Sequence, residues 1–171
     1  MKEIEDCFFK VKKDYLRFLD KEKILKKSNK VKIESLKRIY IPLSFWIESK
    51  YKKKGNTLIL GLSGGQGVGK TTITGILKII FKTFFKRKIY VSSLDDFYKT
   101  QQIRNKMSQT IHPMLKTRGV PGTHDINLIK KFFMSIKKKK FKKIKLPKFD
   151  KAQDDRLKSK YWFSVKNKPE I

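Results

Sequence analysis

Two sets of residues have types and spacing suited to chemistry. The first is Gly64-Gly65-Gln66-Gly67-Val68-Gly69-Lys70-Thr71, which fits G-x-x-x-x-G-K-T, the P-loop pattern. Glycines at these positions permit backbone conformations closed to other residues and let N–H groups approach phosphate oxygens. The positive end of a following helix adds to that anion site. Lys70 is expected to reach the β and γ phosphates, and the Thr71 hydroxyl to ligate Mg²⁺. The nucleotide-contacting stretch is therefore read as Gly64, Gly65, Gln66, Gly67, Val68, Gly69, Lys70, Thr71 and Thr72. The second set is Ser93-Leu94-Asp95-Asp96-Phe97-Tyr98. One of its paired carboxylates could accept the proton of an attacking hydroxyl, and the other could hold a metal-bound water. A plainer role, capping the next helix, is open to either.

These residues need elements to position them. Thr57 to Leu62 is a short apolar run, expected as a strand buried on both faces. Ile73, Ile76, Leu77, Ile80, Phe81 and Phe84 then fall on one helix face. Lys88 to Leu94 reads as a second strand, completing a right-handed βαβ unit with parallel strands. Ligands bind at the carboxyl ends of such strands, where both chemical segments fall. Ile144 to Leu146 is at best a short third strand. A weakly periodic helix is expected over Phe97 to Leu115, and Asp125 is placed to cap a helix carrying Leu128, Ile129, Phe132 and Phe133.

Before this core, residues 1–54 read as helical. Phe8, Val11, Tyr15 and Leu19 recur at helical spacing, and a second helix begins near Ser28 or Asn29. Pro42 should kink or split that second helix. The fold class expected is thus α/β, a P-loop NTPase parallel sheet with flanking helices, over residues 55–171 after an N-terminal helical segment of 1–54.

The chain has 171 residues and a formal net charge of +29. Such charge first points to a nucleic acid or a membrane surface. The basic residues are nearly all Lys, however, with Arg only at positions 17, 38, 87, 104, 118 and 156. Ala152 is the only alanine. That bias matches an AT-rich coding composition, whereas nucleic-acid readers favour the planar fork of Arg. No specific nucleic-acid partner is therefore expected. The lysine run from Lys137 to Lys145 is read as a solvated loop. Cys7 is the only cysteine, so an internal disulfide is impossible. No stretch approaches the roughly 20 apolar residues of a membrane span, and a cytoplasmic location is the default expectation.

The P-loop followed by Leu94-Asp95-Asp96-Phe97-Tyr98 resembles the phosphoribulokinase and uridine kinase group of P-loop kinases. In that group an Asp after the second strand is the catalytic base, and Asp95 is the matching position. The resemblance narrows downstream. His112-Pro113-Met114-Leu115, Arg118-Gly119-Val120-Pro121-Gly122-Thr123-His124-Asp125, Pro147-Lys148-Phe149-Asp150-Lys151-Ala152 and Asp154-Asp155-Arg156 are similar to segments of glycerate kinase-type P-loop kinases, as is Tyr40-Ile41-Pro42-Leu43. It implies an ATP- and Mg²⁺-dependent kinase with Lys70 and Asp95 catalytic, and Thr71 and Asp96 at the metal. The acceptor would be glycerate or a similar small acid. Arg118, His124, Lys151 and Arg156 are candidate contacts for an anionic substrate, since Arg binds a carboxylate through two parallel hydrogen bonds. Other acceptors in the group, namely a nucleoside, pantothenate or a sugar phosphate, form the alternative. A nucleic-acid-associated ATPase is a further one. The resembling family continues beyond the position of Ile171 with another buried strand, so the sheet is expected to be incomplete at its C-terminus and turnover by this chain alone to be poor.

Overall fold

Apolar residues three or four positions apart give α1 (Lys2–Lys21) one buried face, made of Cys7, Phe8, Val11, Tyr15 and Leu19. The computed structural model describes residues 2–22 and 28–171. They divide into two compact units: Met1–Tyr90 with Pro169–Ile171, and Val91–Lys168. The N-terminal helices share a core with the helix that follows the P-loop.

In the first unit, α2 (Asn29–Ser35) runs into a wide π turn, Leu36–Tyr40, and then α3 (Ile41–Lys54). Ser28 precedes α2 but makes no side-chain cap bond. The wide turn has a local cause. Pro42 lacks an N–H, and its ring would crowd the carbonyl four residues earlier. Gly55 ends α3 at φ +64°, the left-handed conformation that glycine adopts without a Cβ penalty. After the P-loop, α4 (Lys70–Thr83) buries Ile76, Ile80 and Phe81. Ile76 and Ile80 join Cys7, Val11, Tyr15, Leu19, Leu36 and Ile41 in one core. Gly75 makes the close approach of α1 and α4 possible, since a Cβ there would lie 2.4 Å from the Phe18 ring.

Phe81, Ile47 and Ile171 form a second core cluster. A buried ion pair borders this part of the unit. Arg87 donates to both oxygens of Glu48, which is 3% exposed, and through Nη1 to Glu170 at 3.0 Å. Glu170 also accepts from Tyr51 Oη at 3.0 Å and from the Lys88 N–H at 2.8 Å. Burial raises the Glu170 pKa, but these donors outweigh it and hold the carboxyl below its usual range.

The parallel βαβ ladder is not formed among the described residues. Neither 57–62 nor 88–94 is a β-strand. Instead Pro169–Ile171 lies between the two runs: Leu58 N–H donates to Glu170 O, Glu170 N–H to Lys88 O, and Tyr90 N–H to Ile171 O. Three residues supply too few consecutive bonds for a ladder. The expectation of burial on both faces also fails. Thr57 is buried, but Leu60 and Leu62 are nearly half exposed.

In the second unit the helix expected over 97–115 is split. A 3₁₀ turn covers Leu94–Phe97, α5 covers Gln101–Thr110, and another 3₁₀ turn covers Pro113–Lys116. Thr100 caps α5 through the Ile103 N–H, and Pro113 begins a new turn, so both breaks have local causes. As expected, Asp125 caps α6 (Ile126–Lys137), accepting from the Leu128 N–H at 3.0 Å. The strands are short and antiparallel. β1 (Ile144–Leu146) pairs with β4 (Phe163–Val165), and β2 (Phe149–Asp150) with β3 (Asp155–Arg156). Ile144 to Leu146 is thus one arm of an antiparallel pair rather than a third parallel strand. Among the described residues no helix is long and apolar enough to cross a membrane.

Candidate active site

The glycine-rich loop has the backbone its sequence requires. Gly67 and Gly69 adopt φ +80° and +85°, and Gly69 immediately precedes α4. Lys70 curls back so that Nζ donates to the carbonyls of Gly64 at 2.7 Å and Gly65 at 2.5 Å. The ammonium is thereby held against the loop that α4 presents. The first N–H groups of a helix have no partner within it and favour an anion. Thr71 and the loop from Gly64 to Val68 are exposed.

The second unit gathers a separate set of charges. Ser93 Oγ accepts from the Asp95 N–H at 3.2 Å and starts the 3₁₀ turn that carries both carboxylates. Asp95 Oδ2 pairs with Lys151 Nζ at 3.1 Å, on the turn joining β2 and β3. Asp96 serves differently. Its Oδ1 accepts from the Phe149 N–H at 3.1 Å and pairs with Lys148 at 3.2 Å, which fixes β2 to the turn. Tyr98 stacks on His124 with centroids 4.1 Å apart. Burial first, then the Asp95 charge, pushes the Tyr98 phenol upward, so it stays protonated. Burial lowers the His124 pKa despite Asp95, and its buried Nε2 has no hydrogen-bond partner among the described residues. Arg118 pairs with Asp154, and its Nη1 lies 3.4 Å from the Lys151 carbonyl. Arg156 pairs with Asp125 at 2.9 Å, lending charge to the cap of α6. Burial raises the Asp125 pKa, but Arg156 and the Leu128 N–H bring it below the usual range.

No protein-family model matches the sequence. Individual proteins do. A chloroplastic D-glycerate 3-kinase of Arabidopsis thaliana is 34% identical over 143 residues, covering 74% of this chain and 31% of that protein. An uncharacterized kinase of Schizosaccharomyces pombe is 30% identical over 123 residues, covering 71% of this chain and 44% of that protein. The solved D-glycerate 3-kinase of Cryptococcus neoformans superposes with a TM-score of 0.66 at 25% identity, covering 78% of this chain and 50% of that one. This chain is a relative of the glycerate kinase-type P-loop kinases. It spans about a third to a half of the length of the relatives it matches.

For a relative of these kinases, the sequence-derived residues fall into two groups. Gly64 to Thr72 belong to the first unit; Asp95, Asp96, Arg118, His124, Lys151 and Arg156 belong to the second. Within the second unit Lys151 touches Asp95, while Arg118 is joined to the Lys151 backbone and Asp154. Arg156 faces Asp125 instead, one side of the α6 cap. Sequence reasoning missed Arg104 and Asp154. Arg104 is fully buried and bonds to Asp154 and to two backbone carbonyls. A signal was present: only six arginines occur in a chain with 44 Lys and Arg. An Arg kept against such a bias marks a place where a planar, multidentate donor is needed.

Proposed function

We propose that this chain binds ATP through Gly64–Thr72 and transfers the γ-phosphoryl group to a hydroxyl of D-glycerate or a similar small anionic acceptor. The observation that carries the reading is Asp95, a carboxylate at 3.1 Å from Lys151 with Arg118 joined to the same turn. A carboxylate next to a lysine on an arginine-linked turn suits a proton acceptor beside a substrate carboxylate. The matched kinases support the same chemistry, and two of them are named for D-glycerate.

The loop fits a nucleotide triphosphate. Its left-handed glycines, its Lys70 ammonium and the start of α4 are the donors that phosphates need. Mg²⁺ bound with the nucleotide would neutralise phosphate charge, with the Thr71 hydroxyl as a ligand and Asp96 available only through the oxygen not bracing β2. Arg118 and Lys151 hold the acceptor's carboxylate. Asp95 accepts the hydroxyl proton as that oxygen bonds to the γ phosphorus, and the bond to the β-γ bridging oxygen breaks to release ADP. Lys70 offsets the charge developing on the transferring group. Tyr98, protonated, offers a donor beside Asp95, and His124 stays neutral near pH 7. The parallel P-loop sheet of the kinase fold is read here from the two apolar runs that Pro169–Ile171 joins. A small soluble acceptor suits a cytoplasmic enzyme.

An acceptor panel tests the reading. ADP formation is measured with D-glycerate, pantothenate, uridine, glycerol, DNA and RNA. Stimulation by D-glycerate above the others is expected. Stimulation by nucleic acid alone would replace the kinase reading with an ATPase.

A further inference from the structure

Arg104 lies wholly buried on α5, and each nitrogen of its guanidinium donates at least one hydrogen bond. Nε donates to the Lys99 carbonyl at 3.3 Å and Nη1 to the Lys116 carbonyl at 2.8 Å. Nη2 donates to the Asp154 carbonyl and to its Oδ2, the latter at 2.9 Å. The other Asp154 oxygen accepts from Arg118 Nη1. Asp154 is thus shared by a buried arginine and a part-exposed one. It sits at φ +51°, in the left-handed region that side chains rarely adopt. Both guanidinium groups lie over the ring of Phe149 on β2, Arg104 at 5.8 Å and Arg118 at 5.7 Å from its centroid.

We infer that Arg104 and Asp154 are a positioning pair for Arg118 and the Lys151 turn, setting the enzyme's selectivity for a carboxylate-bearing acceptor. The inference rests on the function proposed above. Arg118 by itself has several rotatable bonds and would lose much freedom on gripping a ligand. Asp154 engages its Nη1 beforehand, leaving further N–H groups of the five-donor fork for an anion. Asp154 can do so because Arg104 fixes both its carbonyl and its carboxylate. A buried charge must be paired, and here the Asp154 that pairs with Arg104 also holds Arg118, which is joined to the Lys151 turn. Burial raises the Asp154 pKa, but Arg118 and Arg104 outweigh it and keep the carboxylate ionised.

The test is single-turnover label transfer from γ-labelled ATP, with the full chain in excess, at varied D-glycerate or glycerol. Asp154→Asn keeps the shape, and Asn tolerates the left-handed backbone. Half-saturating D-glycerate should rise about tenfold, with the saturated rate and ATP affinity within about twofold. Half-saturating glycerol, which lacks the carboxylate, should stay put. Arg104→Lys should act in the same direction and add little to Asp154→Asn. An unchanged or lower half-saturation for glycerate, or equal shifts for glycerate and glycerol, would overturn the inference. So would loss of folded structure in Asp154→Asn, by circular dichroism, which assigns the pair to stability alone. A parent with no glycerate-dependent transfer would instead fail the function itself.

Discussion

At the scale of single residues, the proposed reaction gives Lys70 and Asp95 different tasks. Lys70 opens α4 with its ammonium on two carbonyls of the exposed loop, so Lys70→Ala should leave the thermal midpoint nearly unchanged while calorimetry shows ATP binding lost. Parental ATP affinity in that variant would remove the P-loop from the account. Asp95→Asn should lower the single-turnover transfer rate by about a hundredfold or more with ATP affinity retained. A near-parental rate would mean that another group takes the proton. The glycine-rich loop and the Asp95 carboxylate were legible in the sequence because their pattern is local: glycines, a lysine and a carboxylate at fixed spacing. Arg104 and Asp154 were not, since their meaning lies in a bond spanning 50 residues. Asp96 was legible as a carboxylate but not as the brace of β2, which depends on where Phe149 comes to lie.

At the scale of elements, helices were easier to read than strands. The periodic faces of α1 and α4 are properties of a few turns, and Pro42 marks the disturbed turn before α3. The apolar runs 57–62 and 88–94 carry the composition of buried strands, but a ladder requires a neighbour over their whole length. Pro169–Ile171 supplies three residues of one. The contact of α1 with α4 gives a direct test. Gly75→Val places a Cβ where the Phe18 ring lies, and overpacking of this kind costs about 1–3 kcal/mol. Urea unfolding should show that loss, and adding Phe18→Leu should recover part of it. A Gly75→Val chain as stable as the parent would show that α1 does not pack there.

At the scale of the molecule, acid and salt should act in opposite directions. Asp125, Asp154 and Glu170 are held below ordinary carboxylate values, each because its donors outweigh the upward push of burial. Their stabilisation is complete above about pH 5 and is lost as pH falls through their lower folded values. His124, lowered by burial, adds a milder loss that begins below about pH 6.5. Thermal midpoints measured from pH 8 to 3 should therefore fall gently and then steeply. A midpoint that rises on acidification would contradict these assignments. Added salt should raise the midpoint at neutral pH, because a net charge of +29 repels itself. Phosphoryl transfer to a small acid is decided by the fate of the γ phosphorus. With the chain in excess over γ-labelled ATP, the label is followed into D-glycerate and into free phosphate. Labelled phosphoglycerate is expected in the parent, with a sharp loss of it in Asp95→Asn. Label appearing only as free phosphate, at one rate with or without glycerate, would contradict that transfer.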